Sequence, residues 1–85
     1  MSDHNNPLFN QSLEKGLAVL RGFGAARRTM NLADIAQVAG ISKSSAQRMV
    51  HTLDELGYVR KHRQSRRFQL TTKVMEIGNN YLAAD

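Results

Sequence analysis

The chain has 85 residues, with 12 Lys and Arg against 7 Asp and Glu and no cysteine, for a formal net charge of +5. Such a length suits one small domain around a single thin core, and the lack of cysteine excludes disulfides and thiolate metal sites while permitting a reducing compartment. No run approaches the ~18 apolar residues of a membrane span, and no signal-peptide core follows the start, so a soluble, cytoplasmic protein is expected.

Residues 1–11 are largely polar, hold the only proline and show no periodicity, which predicts a flexible tail. From Ser12, SLEKGLAVLRGF sets Leu13, Leu17, Leu20 and Gly24 along one line with Val19 and Phe23 beside it. That spacing predicts a helix of about a dozen residues ending near Gly22 and Gly24. The Gly-Phe-Gly run is not a phosphate-binding loop, because no strand precedes it and no Gly-Lys-Ser/Thr follows. Residues 25–30 read as a loop. Its adjacent Arg27 and Arg28 are candidate backbone-phosphate contacts, although paired loop arginines are more often simply solvated.

Residues 31–56 organise the chain. Asn31 suits a helix N-cap, with Asp34 three residues on to complete a capping box. Leu32, Ile35, Ala36 and Ala39 recur at i, i+3, i+4 and i+7, a helical stripe. Gly40 stands where a helix ends in a left-handed residue, and Ser42 is the next N-cap. Two helices joined by a tight glycine-containing turn form a helix-turn-helix. In the second helix, about residues 43–56, Ala46, Met49, Val50, Leu53 and Leu56 share one side and are expected to face the core. The opposite side carries Ser44, Arg48, His51 and Glu55, flanked by Gln47 and Thr52.

A recognition helix enters the major groove by its N-terminal residues. Ser44, Gln47, Arg48 and His51 are therefore candidate base readers. Ser42, Lys43 and Ser45 at the helix start, with Asn31 at the start of the preceding helix, are candidate phosphate contacts. A solvated amphipathic helix is the blander reading, since the same shape occurs in proteins that touch no DNA.

After Gly57 the period changes. Residues 58–62 and 66–70 are short runs with β-branched or aromatic members, consistent with a hairpin. Two strands alone are marginal, so Val59, Phe68 and Leu70 must pack on the helices. The hairpin carries Lys61, His62, Arg63, Arg66 and Arg67, of which Lys61, Arg63 and Arg66 are candidate phosphate contacts. Between Lys43 and Arg67 the chain holds seven basic residues against Asp54 and Glu55, so this segment carries the whole net charge of +5. A basic excess so focused is the electrostatic footprint of a polyanion site. The last segment starts at Thr71 or Thr72 as cap and aligns Val74, Ile77, Gly78 and Tyr81 helically. Gly78 in mid-helix suggests a close helix contact.

SLEKGLAVL, NLADIAQVAGISKSSAQRMVHTLDELGYV, a basic turn and RRFQLTTKVMEIG follow one another in an order that resembles the N-terminal DNA-binding domain of the IclR family of bacterial transcription regulators. The resemblance covers about residues 12–82. Departures are small: Phe68 and Thr71 stand where Tyr and Gly are usual, and Ser42 where Pro is common. The resemblance implies a mainly α fold with a small β-hairpin, a winged helix-turn-helix over residues 12–71. Residues 72–85 would be a truncated linker helix leading to an absent effector-binding domain. It also implies a homodimer on double-stranded DNA at a palindromic operator, with a small-molecule effector acting only through that absent domain. The dimer contact would involve Leu13, Leu17, Leu20 and the stripe from Val74 to Tyr81, some of which the core also needs.

An enzyme is not expected. His4, His51 and His62 lie on a tail, a helix face and a hairpin, without metal-site spacing, and no cofactor is implied. His51 with Asp54 and Glu55 is far more often a solvated face than a metal pair. The serines at 42, 44 and 45 are explained by capping, with no base and orienter to activate one. The alternative from another class is a winged-helix interaction module binding an acidic protein or RNA.

Overall fold

Asn10 opens the first helix: in this computed structural model, which describes residues 5–84, its side chain accepts from the Leu13 N–H at 2.9 Å. Helix α1 (Gln11–Gly22) thus starts one residue earlier than its spacing predicts. Residues 1–4 of the expected tail, His4 among them, lie outside the described residues. Of the leucine line of α1 only Leu20 packs against the core, half-buried. Val19 is 1% exposed and Phe23 8%, whereas Leu13 and Leu17 remain 61% and 50% exposed. At about 100° per residue the Val19–Phe23 line is offset from the leucines, and it is this line that the other helices cover. Gly22 permits a close approach, for a Cβ there would stand 2.9 Å from Val38 Cγ1.

Residues 25–30, expected as a loop, end in a strand position. Met30 donates to the Phe68 carbonyl at 3.0 Å and accepts from the Phe68 N–H at 2.8 Å. This isolated bridge adds a third chain segment to the hairpin sheet, and it buries Met30 to 1% exposure.

Helix α2 (Leu32–Ala39) carries the full capping box between Asn31 and Asp34 and ends at Gly40 with φ 70°. Helix α3 (Lys43–Leu56) starts from Ser42, whose hydroxyl accepts from the Ser45 N–H at 3.1 Å. Ala46, Val50 and Leu53 are buried and Met49 is half-buried, but Leu56, expected in the core, is 53% exposed. Ten residues beyond Ala46 it has drifted about 80° off that face at 100° per residue. The core joins these side chains to Val19, Phe23, Met30, Ile35, Ala36, Val59 and Phe68.

Strands β1 (Val59–Lys61) and β2 (Phe68–Leu70) pair antiparallel, Val59 with Leu70 and Lys61 with Phe68. Val59 and Phe68 anchor this wing in the core as expected, with Leu70 half-buried. Helix α4 (Val74–Ala83) is not capped by Thr71 or Thr72: Lys73 takes the N-cap position without a side-chain cap, and backbone bonds such as Met75 N–H to the Thr72 carbonyl, 3.0 Å, close the first turn. The Thr71 hydroxyl accepts from the Lys73 N–H at 3.2 Å, one step ahead of the helix, and donates to the Gly57 carbonyl, and Lys73 Nζ donates to the Leu56 carbonyl at 2.8 Å. No residue of α4 is buried. A Cβ on Gly78 would meet nothing within 4 Å, so the expected close contact is not made among the described residues. None of the described helices is long and apolar enough to cross a membrane.

Gly57 ends α3 at φ 91°, and a Cβ there would stand 3.4 Å from Lys73 Cδ, in van der Waals contact with a flexible side chain. Gly57→Ala should therefore cost about 1–2 kcal/mol of left-handed strain, read as a fall of roughly 4–8 °C in Tm per kcal/mol. Gly40→Ala, with φ 70° but open space around the Cβ, supplies the strain-only comparison.

Candidate nucleic-acid interface

The capping of two helices places the polar groups. Asp34 Oδ2 accepts from the Asn31 N–H at 3.3 Å while Asn31 Oδ1 accepts from the Asp34 N–H at 2.8 Å, which fixes the start of α2. At the start of α3, Ser42 Oγ lies 3.3 Å from Ser44 Oγ as well as accepting from Ser45. Lys43, Gln47 and His51 then follow at i, i+4 and i+8, one exposed stripe along α3.

That stripe, the start of α2 and the wing line a single open concavity. Its lining includes Asn31, Lys43, Gln47, His51, Lys61 and Arg66, over a floor of Val50 and Phe68, with Asp54 at the C-terminal side. Six residues singled out in the sequence, from three separate segments, therefore meet there. Lys61 Nζ sits 5.6 Å from the Phe68 ring centroid, a cation–π arrangement that holds the ammonium near the groove.

The other sequence-predicted residues are placed differently. Ser44 and Arg48 form the adjacent stripe of α3, exposed but outside this lining. Arg48 passes one local bond, its carbonyl accepting from the Thr52 hydroxyl at 3.1 Å. Arg63 is exposed at the wing tip, and Ser45 is half-buried behind its cap. Arg27 and Arg28 line a separate concavity with Thr29, Val38 and Arg67. There Arg27 Nε donates to the Gly22 carbonyl at 3.1 Å and closes the end of α1. Sequence reasoning missed the Met30 strand position and the Thr29 partner of Arg67; the one available signal was a β-branched residue and an apolar residue directly ahead of the Asn31 cap.

Chemically, the concavity offers cations, amides and an imidazole with no paired nucleophile and base. Among the described residues no cluster could hold a metal ion. Lysine and arginine suit phosphate oxygens, and glutamine and asparagine can pair bidentately with adenine in a major groove. The IclR helix-turn-helix domain model matches residues 12–63. The chain belongs to the IclR family.

The chain is similar to the glycerol operon regulatory protein of Streptomyces griseus, 36% identical over 72 residues that are 85% of this chain and 28% of that protein. It is likewise similar to the p-hydroxybenzoate hydroxylase transcriptional activator of Acinetobacter baylyi, 38% identical over 85% of this chain and 26% of that protein. Among solved structures, an IclR family transcriptional regulator from Brucella abortus superposes with a TM-score of 0.84 at 32% identity, over 91% of this chain and 30% of that one. The chain thus spans under a third of the length of these IclR relatives. They are regulators of transcription rather than enzymes, and the matched region is the winged helix-turn-helix DNA-binding domain of such a regulator.

Proposed function

We propose that this domain binds double-stranded DNA with sequence preference, the N-terminal half of α3 in the major groove and the wing on the backbone or in the minor groove beside it. The observation that carries this reading is the concavity in which α2, α3 and the wing bring Asn31, Lys43, Gln47, His51, Lys61 and Arg66 together. Gln47, His51, Ser44 and Arg48 read bases. Asn31, Ser42, Lys43, Ser45, Lys61, Arg63 and Arg66 hold phosphates, and Arg27 and Arg28 reach only a phosphate beyond this groove. Glu55, at the far end of α3, stays off the backbone, and Asp54 borders the groove at its C-terminal side.

Two copies bind one palindromic operator in this reading. The sequence left the leucines of α1 divided between core and dimer, and the burial pattern supports a division: Leu13, Leu17, Met75, Ile77, Tyr81 and Leu82 are 50–81% exposed on α1 and α4. A second copy is the occupant that would cover them. The full-length protein would act in the cytoplasm on genes of small-molecule catabolism, as the names of the glycerol and p-hydroxybenzoate regulators suggest. Its effector would bind the domain that lies beyond this chain.

Selection of bound duplexes from a random pool tests the reading. The expected result is an inverted repeat whose half-sites lie about one DNA turn apart, near 34 Å, and sedimentation showing two chains per duplex. A 1:1 complex on the full site at saturating protein overturns the dimer. No enriched duplex, with binding to RNA or to an acidic protein instead, overturns DNA recognition itself.

A further inference from the structure

Lys61, His62, Arg63, Arg66 and Arg67 crowd the hairpin, but they do not share one environment. Lys61, Arg63 and Arg66 are exposed, whereas His62 and Arg67 are half-buried. His62 Nε2 bonds to Gln69 Oε1 across the strands. Arg67 turns to the helices. Its Nε donates to Thr29 Oγ1 at 2.9 Å and its Nη2 to the Thr29 carbonyl at 3.0 Å. The same Nη2 lies 3.7 Å from Asp34 Oδ2, the oxygen that also accepts from the Asn31 N–H. One carboxylate therefore ties the capped start of α2 to the root of the wing.

The backbone explains how adjacent arginines part company. Arg66 has φ 59°, and it is the one non-glycine residue at positive φ among the described residues. A residue with a Cβ takes that conformation only when its surroundings hold it there. The kink leaves Arg66 lining the α3 concavity and Arg67 lining the other one, against Thr29 and Asp34. The ion pair by itself contributes little, with its two side chains 39% and 43% exposed. The guanidinium fork is what matters: a planar group held by two acceptors of one residue fixes direction, which a lysine ammonium cannot do.

We propose that Arg67 is a positioning residue that sets the angle of the wing, so that Lys61 and Arg66 meet the DNA backbone, without touching DNA itself. This rests on the reading that the wing contacts DNA.

The test is a double-mutant cycle on the selected duplex at fixed salt, with Arg67→Lys, Arg66→Ala and the pair. Arg67→Lys keeps the charge and should weaken binding about three- to tenfold, and in its background the further loss from Arg66→Ala should nearly vanish, as expected for coupled residues. Thr29→Val removes an acceptor with no change of charge and offers a second route to the same cycle should Arg67→Lys fold poorly. Each variant is read below its own Tm. General loosening of the fold would leave the Arg66→Ala penalty unchanged, so the coupling separates positioning from mere support. Penalties that multiply in either cycle make Arg67 an independent contact and overturn the proposal. If Arg66→Ala and Lys61→Ala leave the wild-type affinity intact, the wing does not touch the duplex, and that part of the DNA reading falls along with the proposal.

Discussion

Ile35→Ala should lower the unfolding free energy by about 2–5 kcal/mol, the range for truncating a buried aliphatic side chain to alanine. Ile35 is 1% exposed on α2, within the one core that joins α1, α3 and the wing. Small domains are stable by only about 5–15 kcal/mol, so the variant should lose a large share of the fold's stability. Thermal unfolding followed by circular dichroism measures the effect. Leu56→Ala is the paired control: with Leu56 53% exposed, its change should stay within about 0.5 kcal/mol. Equal losses at the two positions would mean that α3 packs with Leu56 inward, as its heptad-like spacing suggested and the structure denies.

The helix-turn-helix was legible because its determinants are local. Asn31 with Asp34, Ser42 with Ser45, and the left-handed Gly40 and Gly57 all act within three or four residues, so type and spacing suffice to place them. Partners far apart in the chain were not legible. Met30 pairs with Phe68, and Arg67 with Thr29, across 38 positions each, and a single strand residue has no period to betray it. The leucines of α1 could not be divided between core and dimer for a related reason. Leu13 and Leu17 stay exposed, whereas Leu20 packs against the core beside Val19 and Phe23, and periodicity cannot tell which apolar residues of a helix another element will cover.

The candidate site was legible as an arc and not as an edge. Spacing puts Lys43, Ser44, Gln47, Arg48 and His51 on one broad polar face. Only the position of the wing, bridged to Met30 through Phe68, shows that Lys43, Gln47 and His51 are the edge turned toward it. Ser44 and Arg48, about 160° from Ala46 at 100° per residue, lie on the outer flank opposite the core.

That flank is where Arg48→Ala should have the largest effect on DNA recognition. Arg48 is exposed, one turn beyond Ser44 and next to Gln47, in the N-terminal half of α3 that leads a recognition helix into the groove. Its planar fork matches the O6 and N7 acceptors of guanine bidentately. A competing ion pair along the helix is poorly placed, because Glu55 lies seven residues on, about 10 Å along the axis at 1.5 Å per residue. Asp54, the nearer acid, lines the concavity on the wing side instead. Loss of one bidentate base contact should cost roughly 1–3 kcal/mol on the preferred site and relax the choice of one base pair per half-site. Nonspecific affinity should fall far less, since phosphate contacts supply most of it. The measurement is binding of wild type and variant to the selected duplex and to its single-base variants at one salt concentration. A flattened ranking at one position is the expected outcome. An unchanged ranking with uniformly weaker binding would assign Arg48 to a phosphate and leave Gln47 and His51, on the wing-facing edge, as the base readers.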